Sequence, residues 1–496
     1  MQHRQVRERT LLWLLCLLAG LRVLFYSAAF PFFNNVDEPI HFDLVLRYSQ
    51  GLLPRQMDKI LPDTVPYVAY YNSMAYYATP DEFSGDQYPP PPWTESSEKK
   101  RQDFNANCTR WQSLENYEVS QTPLYYTLAG AWWHVGQWGL HGGRLLYWLR
   151  FFNVIQVITL VWLAGFVARM VCPENRFVQI TAPALLAFMP QTAFYSIGND
   201  TLPAICFGLT FICLLKWLMS EKPSAWLGAL TGLAFAATYL SKVTNLPLLI
   251  VTAIVLLIKS GQFLKQGKLS ATLPAVAAFL VCSVPPIAGW MMWCQSNFGD
   301  LAGTKLKMDH FGWTIKPLSE WWRHPIFTPD GFWTYLSGQL GTFWQGEFQW
   351  HNQPLALPGS GAVYAVLTLI LLVAVLPALF SPSPNFTVLQ RYTLQLGLVC
   401  FIAALGFFAL LSIRYDFHDC PYPSRHYPYF TSGRLLLGAL IPFLLLIACG
   451  LDRVVARFGN AIKWITLAVM IFVMFAVEII TDSPVFSDPY NWFHLR

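Results

Sequence analysis

Eleven apolar runs, each close to the length a helix needs to cross a hydrocarbon layer, dominate this 496-residue chain. They cover approximately 11–31, 145–168, 177–197, 201–219, 224–241, 244–258, 271–294, 361–380, 392–413, 434–450 and 461–480. A helix rises about 1.5 Å per residue, so roughly 20 residues span a layer of ~30 Å. That layer has no water to satisfy the backbone, which must therefore bond within helices. The expected fold is all-α: a polytopic membrane helix bundle of about 11 transmembrane helices. No linker or low-complexity stretch divides it, so 1–496 reads as a single domain. Composition agrees, with 54% hydrophobic and 12% charged residues, where soluble chains carry about 25% charged.

A twelfth stretch, 123–138, contains His134, Gly136 and Gln137 and reaches only about 24 Å as a helix. Whether it crosses sets the orientation of everything after it. If it does not cross and Arg4, Arg7 and Arg9 are cytoplasmic, the inner loops hold Arg169, Arg176, Lys216, Lys222, Lys259, Lys265, Lys268, Arg391, Arg453, Arg457 and Lys463. This satisfies the positive-inside rule, and a crossing would invert it. The expectation is an interfacial helix at 122–138, with Trp132, Trp133 and Trp138 at headgroup depth. The N-terminus is then cytoplasmic and the C-terminus outside, in the manner of a bacterial cytoplasmic membrane protein. Long outer segments fall at 32–143, 295–360 and 414–433, the first of them large, rich in tyrosine (Tyr67, Tyr70, Tyr71, Tyr76, Tyr77) and expected to carry short interfacial helices. The basic residues are scattered between apolar runs, so membrane lipids, and no nucleic acid, are the expected partners. Cys108 and Cys420 fall in polar outer loops, where an oxidising compartment would let them bond.

The outer segments hold the groups with chemistry. Directly after the first run stands Asn34-Asn35-Val36-Asp37-Glu38-Pro39-Ile40-His41. Adjacent carboxylates repel, so the pair offers an acid beside a base, or both stay ionised around a divalent cation or a basic group. A helix starting near Pro39 puts Asp37 and His41 one turn apart on one face. The competing reading is that Asp37 or Glu38 caps that helix. Asp200 lies in a short outer turn, where it either caps the run from Thr201 or shares a cavity with Asp37. Lys242 and Arg434 stand at the outer ends of their runs, suited to a lipid phosphate or to snorkelling. Arg22 is deeper in the first run, and Glu478 in the last run is its candidate mate. The outer tryptophans Trp313, Trp321, Trp322, Trp333, Trp344 and Trp350 suit either sugar stacking or an interfacial belt. His310, Glu347, His351, His418 and His426 show no metal-site spacing.

Seven segments in order resemble the GT-C superfamily of polytopic glycosyltransferases: Val36-Asp37-Glu38-Pro39-Ile40-His41, Gln121-Thr122-Pro123-Leu124-Tyr125-Tyr126, Arg144-Leu145-Leu146, Gly198-Asn199-Asp200, Leu240-Ser241-Lys242-Val243-Thr244, Phe343-Trp344-Gln345-Gly346-Glu347-Phe348 and Gly433-Arg434-Leu435-Leu436-Leu437. The similarity covers most of the chain and looks most like a bacterial branch of that superfamily. Two departures bear on the subfamily: Thr122-Pro123 stands where two prolines are common, and Leu435 where a tyrosine often follows the arginine.

The resemblance implies transfer of a sugar, with inversion, from a polyprenyl-phosphate donor to a hydroxyl of a glycan, lipid or protein acceptor on the extracytoplasmic face. It implies Asp37 as general base with Glu38 as its catalytic partner or a cation ligand. Asp200, Lys242 and Arg434 then bind substrate, the two bases approaching the donor phosphate, and His41, Tyr125 and Glu347 complete the substrate-binding set. A divalent cation, magnesium or manganese, between Asp37 and Asp200 stays open. Two other readings compete: a transporter or flippase of a lipid-linked sugar, which would favour ionisable groups near mid-membrane, and a noncatalytic polyprenyl-lipid-binding subunit, in which Asp37 would be dispensable.

Overall fold

The computed structural model describes residues 2–35, 37–73, 90–94, 97–350, 353–380 and 386–495. The readings on Val36, Tyr76, Tyr77 and His351 lie outside the described residues. Among the described residues nine helices are long and apolar enough to cross a membrane: Arg9–Ala29, Gly142–Val171, Leu202–Met219, Val243–Lys265, Ser270–Phe298, Ser360–Phe380, Val388–Arg414, Gly433–Ala456 and Asn460–Phe486.

Two of the eleven expected runs are shorter. Ala225–Ser241 has 17 residues, and 177–197 is split into the helix Arg176–Ala187 and the 3-10 turn Thr192–Tyr195. Pro190 explains the split, because a proline donates no backbone N–H and drives the residue before it to an extended conformation. The carbonyls released there need donors, and Arg22 supplies them: its Nε donates to Ala187 O at 2.9 Å and Nη2 to Met189 O at 2.8 Å. Its remaining nitrogen, Nη1, donates to Glu478 Oε1 and to the Tyr195 hydroxyl, both at 2.6 Å. One buried arginine thus completes a broken helix and fastens the first span to the last.

Close packing of Ala225–Ser241 on Leu269–Phe298 rests on two glycines four residues apart. A Cβ on Gly228 would stand 2.1 Å from the Ala275 carbonyl oxygen, and one on Gly232 2.5 Å from that of Phe279. Small residues at this spacing let helix backbones approach where lipid offers no hydrophobic drive to association.

The first long loop folds into the short helices Glu38–Ser49, Val65–Tyr71, Ser97–Ser113 and Pro123–Gln137, which share an apolar core with Gly142–Arg150, the first part of the next span, and with Tyr239, Leu249, Trp290 and Phe298 of the longer helices. Pro123–Gln137 departs from the simple interfacial picture. Trp133 is buried against Phe42 and Tyr67, at ring distances of 5.4 and 5.7 Å. Trp132 stacks on Trp148 at 4.1 Å, with indole N–H groups exchanged onto each other's carbonyls. Only Trp138 of the three stands out, 86% exposed. The second and third long loops are tied by a two-stranded antiparallel pairing of Thr314–Ile315 with Tyr415–Asp416. Cys108 and Cys420 are both free thiols, so the bond that an oxidising compartment would permit between them is not formed here.

Candidate functional site

Asp37 occupies the cap position of Glu38–Ser49, yet its side chain makes no cap bond. Its backbone is left-handed, with φ 61°, and its carbonyl accepts from His41 N at 2.9 Å. Pro39 in the first turn starts the helix without needing that side chain. The carboxylate is therefore turned away from its own helix. Asp200 behaves alike: Thr201 holds the cap position of Leu202–Met219, and the Asp200 side chain points elsewhere.

Both carboxylates meet Arg434. Its Nη2 donates to Asp37 Oδ2 at 3.0 Å and its Nη1 to Asp200 Oδ2 at 3.1 Å, while Nε lies 3.6 Å from Glu347 Oε2. Lys242 pairs with the other Asp200 oxygen. The Tyr117 hydroxyl donates to Asp37 Oδ1 at 2.6 Å, and the Ser432 hydroxyl to Glu347 Oε2 at 2.6 Å. Residues separated by up to 397 positions thus converge on one guanidinium. Asp37 is the most exposed of these side chains, at 19% against 5% for Asp200. Of the two, Asp37 is the carboxylate an incoming molecule can reach.

Electrostatics divide the acids. Burial alone would raise Asp37, but Arg434, then Lys307 and His41, and the Tyr117 hydrogen bond outweigh it and hold the carboxyl at about 2. Asp200 is likewise held below the usual carboxylate range, burial being overcome by Lys242 and Arg434. For Glu347 burial wins over Arg434 and Ser432, and the carboxyl is raised. Burial lowers His41 despite the nearby Glu118, Asp37 and Asp200, and lowers Lys242 despite Asp200. His41 Nδ1 lies 2.7 Å from the Tyr126 hydroxyl, which fixes its ring.

Two expected site residues take other places. Glu38 does not join the cluster: its oxygens receive Arg150 Nε at 2.8 Å and Nη2 at 2.7 Å, Phe33 N at 2.8 Å and Ile197 N at 2.9 Å. A fully buried carboxylate with four donors has no lone pair left for a proton in flight or a cation. It pins the first loop to the 197 turn. Tyr125 is buried too, and its hydroxyl accepts from Gly198 N at 3.1 Å, so it positions the turn that carries Asp200. A divalent cation between Asp37 and Asp200 is a poor fit, because the Arg434 guanidinium stands between them and supplies the positive charge. Among the described residues no group of three or more His, Cys, Asp or Glu side chains is arranged to hold a metal.

Sequence reasoning missed Tyr117, Lys307, Glu118 and Arg150. Lys307 pairs with Glu118, and its ammonium lies 5.6 Å from the Tyr117 ring. Tyr117, Glu118 and Lys307 belong to the long outer segments and have no motif around them, while Arg150 ends the helix Gly142–Arg150 and is taken by Glu38.

The family model described as "Predicted membrane protein (DUF2142)" matches residues 18–414. A search of curated proteins finds no match. Among solved structures the chain is similar to the crystal structure of ArnT from Cupriavidus metallidurans bound to undecaprenyl phosphate, at 13% identity and a TM-score of 0.33, over 90% of this chain and 79% of that one. A likeness that loose carries no argument about what this chain does.

Proposed function

We propose that this chain, which belongs to the DUF2142 family of predicted membrane proteins, is a GT-C-type glycosyltransferase that moves a sugar from a polyprenyl-phosphate donor to an acceptor hydroxyl outside the cytoplasm. The observation that carries the reading is the joint contact of Arg434 with Asp37 and Asp200, beside Lys242. Two fixed cations at the ends of apolar helices suit a phosphate whose isoprenoid tail stays in lipid. The bias of basic residues toward the loops at the opposite end supports reading this end of the bundle as the outer one.

The chemistry follows from the charges. The acceptor oxygen attacks the anomeric carbon as the bond to the phosphate oxygen breaks, and the polyprenyl phosphate departs with the electron pair. Arg434 and Lys242 stabilise the charge that grows on the leaving oxygen. The acceptor proton goes to Asp37. A carboxylate held near pKa 2 is a weak base, so the proton moves late, once the new bond has made the hydroxyl acidic.

A flippase of the same lipid is the second reading, and the buried Arg22–Glu478 pair inside the spans is the observation that favours it. The discriminating experiment uses purified protein in lipid vesicles with labelled polyprenyl-phosphate sugars and a panel of hydroxyl acceptors. Label joining an acceptor supports the transferase. Labelled lipid that crosses the bilayer unaltered, with no transfer, supports the flippase.

A further inference from the structure

Arg434 directs both Nη groups to carboxylates, but among the described residues its Nε–H has no acceptor within bonding distance, and it is closed off from bulk water. The nearest carboxylate oxygen, Glu347 Oε2 at 3.6 Å, is too far for an N–H···O bond and is already taken by Ser432. The other oxygen of Glu347, Oε1, is also shielded and has no partner among the described residues. A donor and an acceptor are thus left open on neighbouring buried side chains, an arrangement folded proteins seldom tolerate without a ligand or water to complete it.

Both side chains are rigidly mounted. Gly346, at φ +81°, passes so close to Thr192 that a Cβ would stand 2.0 Å from its hydroxyl oxygen, which fixes the start of Glu347. The Gln191 amide donates to the Thr342 and Phe343 carbonyls at 3.0 and 2.7 Å. The Thr342 hydroxyl accepts from Gly433 N at 2.8 Å and donates to Thr431 O at 2.6 Å, locking the turn before Arg434. Such a mount preorganises two polar atoms for a partner.

One small group meets both needs at a single oxygen. A hydroxyl accepts from Nε–H and donates to Oε1, whereas a phosphodiester, such as that of a polyprenyl-phosphate sugar, has no proton to give and an ammonium no lone pair. Thr431, next to Ser432, also holds the Tyr422 and Tyr427 hydroxyls at 2.9 and 3.3 Å. Those two rings stack at 6.3 Å and are 45% and 36% exposed, offering an aromatic face of the kind that receives sugar rings.

We propose that Glu347 Oε1 and Arg434 Nε form a subsite that reads one sugar hydroxyl, the tyrosine pair receiving the ring. The subsite rests on the transferase reading for its sugar, which comes either from the donor or from the acceptor.

The test is equilibrium binding to the full-length protein in nanodiscs, in two arms. One uses short-chain polyprenyl-phosphate hexoses and their monodeoxy analogues. The other uses methyl glycosides and their monodeoxy analogues, added to protein saturated with bare polyprenyl phosphate. One deoxy compound is expected to bind wild type about 10- to 100-fold more weakly than its parent, and Glu347→Ala to bind the two equally. The arm in which the penalty falls identifies the source of the hydroxyl. Glu347→Gln, which keeps the size and the Ser432 contact, serves where the alanine variant does not fold, and should show a reduced penalty. Flat series in both arms, as a resident water would give, or a penalty unchanged in the Glu347 variants, would overturn the proposal. Discrimination without transfer would sink the transferase reading alone, and transfer with flat series would sink the subsite alone.

Discussion

Arg22 and Glu478, separated by 456 positions, meet at 2.6 Å in a pair that is 4% and 1% exposed. The arginine also satisfies the carbonyls freed at the break before Pro190. Removing one partner leaves an uncompensated charge in a dry place, so Arg22→Met should destabilise the protein by about 3–5 kcal/mol. The double variant Arg22→Met/Glu478→Leu should lose less than the two single changes added together. Thermal unfolding in detergent measures both, and strictly additive losses would show that the pair is not coupled.

Glu38 offers a contrast to Asp37, its neighbour in sequence. With all its lone pairs used by Arg150 and two backbone N–H groups, Glu38→Gln should lower stability by about 1–3 kcal/mol while the folded fraction keeps its turnover. Arg150→Lys should be equally harmful, because an ammonium cannot reproduce the paired contact. A folded Glu38→Gln protein with no turnover would return Glu38 to the chemistry.

Acidification should act in two separate windows, one set by His41 and the other by Asp37 together with Asp200. Burial keeps the His41 imidazole below its ordinary range, so the unfolded chain takes a proton first and stability falls as pH drops below about 6.5. Asp37 is held at about 2, so its contribution is complete above about pH 4 and is lost as pH falls from there toward 2. Melting temperatures across pH should therefore show a shallow loss from about pH 6.5 that His41→Gln removes, while Asp37→Asn removes part of the steeper loss near pH 3 and keeps or deepens the first, because Asp37 favours the charged imidazole.

Helix approach gives a fourth expectation. Gly228→Val would push a side chain into the Ala275 carbonyl at a 2.1 Å Cβ separation, and overpacking of this kind costs about 1–3 kcal/mol or more. Gly261, whose added Cβ meets nothing within 4 Å, should accept alanine with no loss. Equal melting temperatures for the two variants would argue against the close packing.

Much of this architecture is legible in the sequence, because apolar run length reports spans directly and charge at run ends reports which ends are polar. Asp37, Asp200, Lys242 and Arg434 could be singled out for that reason. The split at Pro190 was missed, although a proline followed by polar Gln191-Thr192 stands late in a run that otherwise looks continuous. Glu38 was misplaced because its partner, Arg150, is 112 residues away and carries no signal of pairing. Trp133 was misjudged because interfacial and buried tryptophans look alike in sequence, and Phe42 and Tyr67 cover it only after the loop folds. Tyr117 bonds Asp37, and Lys307 of the short helix Thr304–Phe311 acts on it through space, both from outer segments whose course no periodicity predicts.

The central claim is that Asp37 accepts the acceptor proton while Arg434 and Lys242 hold the donor phosphate. Steady-state transfer from a labelled polyprenyl-phosphate sugar, measured beside donor affinity for wild type and Asp37→Asn, tests it most directly. The account predicts kcat down by about 10²- to 10⁴-fold, with donor affinity changed by no more than a few-fold. Turnover by Asp37→Asn at the wild-type rate would contradict it.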